Sequence, residues 1–180
     1  EHDNWCNKED LLVKTKRAKA LGMEVMVDFH YSDWWADPAK QNIPASWKGH
    51  SYEEMKKDLA NHTKEVLQFL KDNGITPKWV QVGNETTSGM VWEDGRIDWN
   101  ESDNTRWNNY IALSNAGYDA VKAVLPQATV IVHHDNAPSD NTWFYQAFRN
   151  KGGKFDMIGL SHYPDWDNWS TDNTNAVTYL

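Results

Sequence analysis

The residues best placed to do chemistry follow a short apolar run in the middle of the chain. The run 78–82 has the length and composition of a buried strand, and Gly83, Asn84 and Glu85 come directly after it. A carboxylate that leaves water needs partners, and α/β barrels place their catalytic groups at the C-terminal ends of core strands. We therefore predict that Glu85 is a general acid/base and that Asn84 binds a substrate hydroxyl.

Polar side chains also follow three other strand-like runs, 24–29, 129–132 and 155–160. A single histidine after a strand is more often structural, but four polar strand ends favour a functional site. If the strands are parallel neighbours, these groups share one rim. We predict that this rim contacts substrate through His30, His134, Asp135, His162 and Tyr163.

The pair His133 and His134, with Asp135 next to it, could suggest a metal site. Successive residues of a strand point to opposite faces, so both histidines cannot bind one ion from a regular strand. We predict no metal site here and no required cofactor.

Glycoside hydrolysis is the chemistry that these residue types fit. It needs two carboxyl groups that flank the scissile bond, one a protonated acid and the other a nucleophile or a base. Glu85 suits the first role. Sugar rings also stack on aromatic side chains, and tryptophans are concentrated in the long loops. We predict that Trp34, Trp35 and Trp166 contact sugar rings, although a loop tryptophan can instead pack its own loop. We also predict that Asp37 contacts a sugar hydroxyl, although loop aspartates more often form turns.

The elements that must position these groups alternate between helix and strand. Asn7 and Gly22 bound a first helical pattern, and Ser51 with Glu54 forms a capping box for a second that ends at Gly74. Further helices are predicted over about 106–124 and 143–149. Such alternation predicts an α/β fold with a parallel sheet. The strand-to-helix loops are long and polar whereas the return loops are short, as in a barrel whose active site lies above the strand ends.

Composition narrows the range of partners. The chain has 180 residues, 11 tryptophans and a formal net charge of -8. That charge argues against a nucleic-acid partner, which requires a basic face, and it fits a neutral substrate. The sequence has no apolar run long enough to span a bilayer, so no membrane insertion is predicted. Cys6 is the only cysteine, and cysteine usage therefore does not fix the compartment.

Three runs resemble motifs of glycoside hydrolase family 53, the endo-β-1,4-galactanases. DFHYSDWWADPAKQ at 28–41 resembles a specific signature of that family, VQVGNE at 80–85 its acid/base strand, and DMIGLSHYPDW at 156–166 its sixth strand. The similarity runs in the right order along nearly the whole chain. An Asn-Glu pair alone is shared by a wide clan of retaining glycosidases.

The resemblance implies a (β/α)8 TIM barrel that cleaves internal β-1,4-galactosyl bonds of pectic arabinogalactan with retention. It makes Glu85 the acid/base and places His30, Asn84 and Tyr163 in the active-site set. His162 stands where a tyrosine is expected. Some family members bind calcium, for which no ligands are assigned here. A polymeric substrate of this kind implies an extracellular, periplasmic or cell-surface location.

Relative to the family, residues 1–180 are expected to be a partial catalytic domain that covers about strands 3 to 6 and is truncated at both ends. The nucleophilic glutamate of the family would then lie outside the chain. Four strands of a barrel leave two unpaired edges. We expect the remaining strands to come from a longer chain or from other fragments, and residues 1–180 alone to be inactive.

Two alternatives stay open at this point. The chain could belong to another retaining hydrolase of the same clan, acting on mannan, xylan or cellulose, or it could be a non-catalytic glycan-binding protein. Product analysis separates the first alternative, and the effect of Glu85→Gln on turnover separates the second.

Overall fold

Helices and strands alternate along the chain as the hydrophobic pattern predicts. The structure is a computed structural model that describes residues 6–100, 104–135 and 141–163. The elements follow in the order α1 (Lys8–Ala20), β1 (Met26–Phe29), α2 (Tyr52–Asp72), β2 (Trp79–Val82), α3 (Thr105–Val124), β3 (Thr129–His134), α4 (Thr142–Asn150) and β4 (Met157–Leu160). Short 3-10 helices lie at Ala45–Trp47 and Thr86–Ser88, in the loops that follow β1 and β2.

The strands form one parallel sheet in the order β1-β2-β3-β4. Val80 of β2 pairs with Val27 on one side and with Val130 on the other, and Val132 of β3 pairs with Ile158 of β4. Spatial order equals chain order, so each intervening helix is the crossover between two adjacent strands, as in a β/α barrel. The C-terminal ends of the strands therefore meet along one edge of the sheet.

One face of the sheet is buried under the helices. Alternate strand residues that point to this face are at most 5% exposed, namely Val27, Phe29, Val80, Val82, Val130 and Val132. Helices α2 and α3 meet them with fully buried Leu59, Leu67, Leu70, Tyr110 and Leu113. Since side chains alternate along a strand, Asp28, Gln81 and His133 belong to the opposite face, which is the inner face of a barrel.

Close packing between α3 and β2 depends on Gly117. A Cβ atom at this position would lie 2.5 Å from Cγ1 of Val82 and 3.2 Å from the hydroxyl of Tyr31. Both neighbours are themselves buried. The absence of a side chain at Gly117 therefore sets how near the helix can approach the sheet.

Both predicted ends of α2, the Ser51–Glu54 capping box and the glycine at position 74, are confirmed. Ser51 accepts a hydrogen bond from the backbone of Glu54, and the Glu54 side chain binds the backbone N–H of Ser51. Gly74 follows the helix with a positive φ. In α1, Asn7 is the N-cap as predicted, and Leu21 is the C-cap, where the chain leaves the helix, and is 75% exposed.

Strand boundaries differ slightly from the sequence-based ranges. The strands predicted at 24–29 and 155–160 begin two residues later, and the third continues through His133 to His134. Within the described ranges, the structure shows no helix with both the length and the apolar character that a bilayer crossing requires.

Candidate active site

The backbone at the end of β2 directs Glu85 into the rim of the sheet. Gly83 has φ +84°, which favours glycine, and Glu85 itself has φ 46° and ψ 55°, in the left-handed region. A non-glycine residue in this region is strained and persists only where its surroundings hold it. The residue is 7% exposed. A buried carboxyl group at a strand end, carried on a strained backbone, is the geometry expected of a catalytic residue.

The carboxyl group of Glu85 is held by two hydroxyl groups that follow β4. The Ser161 hydroxyl donates to Oε1 at 2.6 Å, and the Tyr163 hydroxyl donates to the same oxygen at 3.0 Å. The neighbouring Ser161 hydroxyl lowers the pKa of Tyr163, but the bond to Glu85, partial burial and nearby carboxylates outweigh this effect, so that the pKa is raised. Tyr163 therefore remains a protonated donor at neutral pH.

His133 of β3 contacts the same residue from the neighbouring strand. Its Nδ1 accepts the backbone N–H of Glu85 at 3.0 Å, and its Nε2 lies 3.0 Å from the Ser161 hydroxyl. Neither His133 nor Ser161 was among the residues predicted to form the site. The period-two pattern of a strand places His133 and His134 on opposite faces, but it does not show which of them faces the rim.

Asn84 fastens the loop after β1 to the loop after β2. The side-chain amide of Asn84 donates to the backbone carbonyl of Ala36 at 2.8 Å. The backbone carbonyl of Asn84 accepts a hydrogen bond from the Gln41 side-chain amide at 2.9 Å. Gln81 donates to the Asn84 side chain at 3.3 Å and to Asp28 at 2.7 Å. These buried amides join the two loops and fix the backbone just before Glu85; binding of a substrate hydroxyl by Asn84 stays a prediction.

His30 lies on the same rim, after β1. Its Nδ1 accepts the backbone N–H of Ala36 at 2.9 Å, and its Nε2 lies 3.2 Å from the carboxylate of Asp28. The ring of Trp35 packs edge-on against it, with centroids 4.8 Å apart, while Trp35 remains 71% exposed. The structure thus places His30 and Trp35 together, and their contact with substrate stays a prediction.

An open cleft of about 650 Å³ lies between the loops that follow β1 and β2. Trp34, which is 54% exposed, contributes to its wall. Asp37 instead serves a turn, since its carboxylate accepts the backbone N–H of Ala39 at 2.8 Å and pairs with Lys40. The other lining residues are Asp33, Asn42, Ile43, Ala45, Lys48, Trp92 and Glu93. Sugar binding by Trp34 and Asp37 stays a prediction.

The prediction for His134 is corrected by its burial. The residue is 1% exposed, because it points away from the rim to the helix-covered face, where it packs on Phe144 and Tyr145 of α4. Burial lowers the pKa of His134 to about 4. Asp135 lies half-buried on the rim, where its carboxylate accepts a hydrogen bond from the Thr87 hydroxyl, so that it links the ends of β2 and β3.

The remaining predicted residues follow β4. His162 is half-buried between Ser161 and Tyr163, the two residues that contact Glu85. Trp166 lies outside the described residues. Among the residues that are described, three or more His, Cys, Asp or Glu side chains nowhere gather in an arrangement that could hold a metal ion. The expectations about cofactors, including calcium, stay predictions.

Comparison with known proteins places this chain in a family. A family model for glycosyl hydrolase family 53 matches residues 1–179. An uncharacterized protein of Niallia circulans is 41% identical over 165 residues, which are 90% of this chain and 45% of that protein. The arabinogalactan endo-β-1,4-galactanase of Thermothelomyces thermophilus is 35% identical over 177 residues, 94% of this chain and 51% of that protein. The solved family 53 catalytic domain of Ignisphaera aggregans superposes with a TM-score of 0.82 at 35% identity, covering 89% of this chain and 43% of that one.

The parallel sheet and its helical cover are those of a (β/α)8 barrel, of which the described residues form a part. The chain belongs to glycosyl hydrolase family 53. It spans about half the length of the curated relatives it matches.

Proposed function

We propose that the protein is an endo-acting, retaining β-1,4-galactanase in which Glu85 is the general acid/base. The observation that carries this proposal is the Glu85 carboxyl group, buried at a strand end on the rim and held through one oxygen by Ser161 and Tyr163. The name of the Thermothelomyces thermophilus relative supports the choice of substrate.

The hydrogen bonds at Glu85 give its two carboxyl oxygens different roles. Oε1 accepts two hydroxyl hydrogens, and within the described residues no hydrogen bond reaches Oε2. A proton on Oε2 can pass to the glycosidic oxygen as the C–O bond breaks and the sugar transfers to a second carboxylate. In the next step, the Glu85 carboxylate takes a proton from the water that releases the sugar. That second carboxylate is expected from outside residues 1–180.

The surroundings of the site suit a neutral carbohydrate polymer. The exposed ring of Trp34 offers a flat stacking surface in the open cleft between the first two long loops, and the exposed ring of Trp35 offers another beside His30. Stacking with a few polar contacts is how proteins bind sugars. We propose pectic galactan as the natural polymer. An extracellular, periplasmic or cell-surface location follows as part of the same proposal.

Hydrolysis of purified β-1,4-galactan by the protein and by Glu85→Gln tests the proposal. Loss of a general acid/base costs about 10²- to 10⁴-fold in rate, and we expect a loss in that range. Because a good leaving group needs little protonation, the first step with a dinitrophenyl galactobioside should be nearly unaffected. Glu53→Gln is the matched control, since Glu53 is an exposed α2 residue paired with Lys56.

Either of two results would contradict the proposal. One is full galactan hydrolysis by Glu85→Gln, and the other is faster cleavage of mannan, xylan or cellulose than of galactan by the unmodified protein. The assay should be made on residues 1–180 and on a chimera in which they replace the matching segment of the Thermothelomyces thermophilus relative, so that a missing second carboxylate is not mistaken for a wrong substrate.

A further inference from the structure

A closed ring of hydrogen bonds links Glu85 to two residues from neighbouring strands. The Glu85 backbone N–H meets Nδ1 of His133 at 3.0 Å, Nε2 of His133 meets the Ser161 hydroxyl at 3.0 Å, and that hydroxyl meets Oε1 of Glu85 at 2.6 Å. The ring begins and ends on the same residue. It therefore constrains both the backbone and the side chain of Glu85.

The chemistry of the groups fixes the direction of every bond in this ring. A backbone N–H can only donate, so Nδ1 of His133 must be unprotonated. A neutral imidazole then carries its hydrogen on Nε2 and donates it to the Ser161 oxygen. Ser161 has one hydroxyl hydrogen, which is left for Oε1 of Glu85. The opposite tautomer of His133 would set two N–H groups against each other and break the ring.

The environment of His133 keeps the ring neutral. Burial lowers the pKa of His133, and His30 lowers it further. The nearby carboxylates of Asp28 on β1, Glu85 after β2 and Asp135 after β3 raise it, but burial has the larger effect. From the chain after β4, the uncharged Ser161 hydroxyl faces the imidazole. At neutral pH, His133 is therefore uncharged and able to accept from Glu85.

We propose that His133 is a positioning residue for the acid/base, acting through Ser161 and through the Glu85 backbone. It holds the left-handed backbone of Glu85 from one side and orients the Ser161 hydroxyl toward Oε1 from the other. Oε1 is thereby fixed as an acceptor, and the transferable proton resides on Oε2. Neither His133 nor Ser161 exchanges a proton during the reaction. This inference rests on the function proposed for Glu85.

The tautomer can be measured without any turnover. In the full chain labelled with ¹⁵N, we expect Nδ1 of His133 to show the chemical shift of an unprotonated ring nitrogen. We also expect a through-hydrogen-bond coupling between Nδ1 and the Glu85 amide nitrogen. A protonated Nδ1 at neutral pH would overturn the inference, whatever the substrate of the protein turns out to be.

Kinetics of three variants, made in the chimera that supplies the second carboxylate, then test the positioning role. His133→Asn retains an acceptor near the position of Nδ1 but cannot reach Ser161, Ser161→Ala removes the donor to Oε1, and His133→Leu removes both links. Displacement of a catalytic group by about 1 Å can cost about 100-fold, so we expect His133→Leu to lose 10- to 100-fold on galactan and the other two variants to lose less. His50→Gln is the control, because His50 binds Asp58 on the surface.

The leaving group distinguishes positioning of the acid from general damage. If His133 acts through Glu85, the loss in each variant should shrink on the dinitrophenyl galactobioside, as it should in Glu85→Gln. Equal losses on both substrates would show a merely structural role and overturn the inference. Failure of the proposed function would appear differently, as galactan turnover that does not depend on Glu85 while the measured tautomer is unchanged.

Discussion

The burial of His134 predicts a pH-dependent stability that one substitution should remove. His134 is 1% exposed, its Nε2 has no hydrogen-bond partner among the described residues, and its pKa is about 4. An unfolded histidine titrates near pH 6.5. Since the folded-state pKa is depressed, the unfolded chain binds the proton first as the pH falls. Stability is therefore unaffected above about pH 6.5 and is lost progressively toward pH 4.

The size of the effect follows from the two pKa values. One unit of difference corresponds to about 1.4 kcal/mol. Proton linkage for a folded-state pKa of about 4 then gives a loss of about 2 kcal/mol at pH 5 and about 3 kcal/mol at pH 4. Leucine has a similar volume and does not titrate, so that His134→Leu should lack this loss.

Urea unfolding followed by tryptophan fluorescence at pH 7.5, 6, 5 and 4 measures the difference. Other groups also titrate in this range, so the relevant quantity is the free energy of unfolding of the wild type minus that of the variant. We expect this difference to fall by about 3 kcal/mol between pH 7.5 and pH 4. A difference that is independent of pH would refute the reasoning.

Two further predictions concern packing and the extent of the chain. Gly117→Ala should reduce the free energy of unfolding by about 1–3 kcal/mol, because its Cβ would lie 2.5 Å from Cγ1 of Val82. Urea unfolding of this variant beside the wild type checks it, and no change would contradict the close approach of α3. Residues 1–180 alone should not release reducing ends from galactan, and turnover by a pure monomer would show that our expectation about the second carboxylate is wrong.

The fold could be predicted because its signals are local. Apolar runs, the Ser51–Glu54 capping box and the glycines after the helices each occupy a few adjacent residues, and the structure confirms the order of elements that they indicate. Strand starts were less accurate. Glu24 and Phe155 have strand-like neighbours in sequence, but regular pairing begins at Met26 and Met157, where an adjacent strand is available.

The site could be predicted only in part because it depends on contacts between strands. Glu85 is recognisable as a charged residue at a strand end, and the structure places it on the rim. The choice of His134 over His133 failed because the sequence indicates the alternation of a strand but not which side faces the helices. Ser161 follows the fourth apolar run, but the sequence does not show that it binds Glu85, because that 2.6 Å contact spans 76 residues of sequence.

The amide contacts between Gln41, Asn84 and Ala36 have a practical consequence for protein engineering. They join the segments 30–51 and 83–100 directly beside the Glu85 carboxyl group. Transplanting either segment by itself from a homologue would separate a matched donor from its acceptor within the interior. Recombination libraries built on this scaffold should exchange both segments as one cassette.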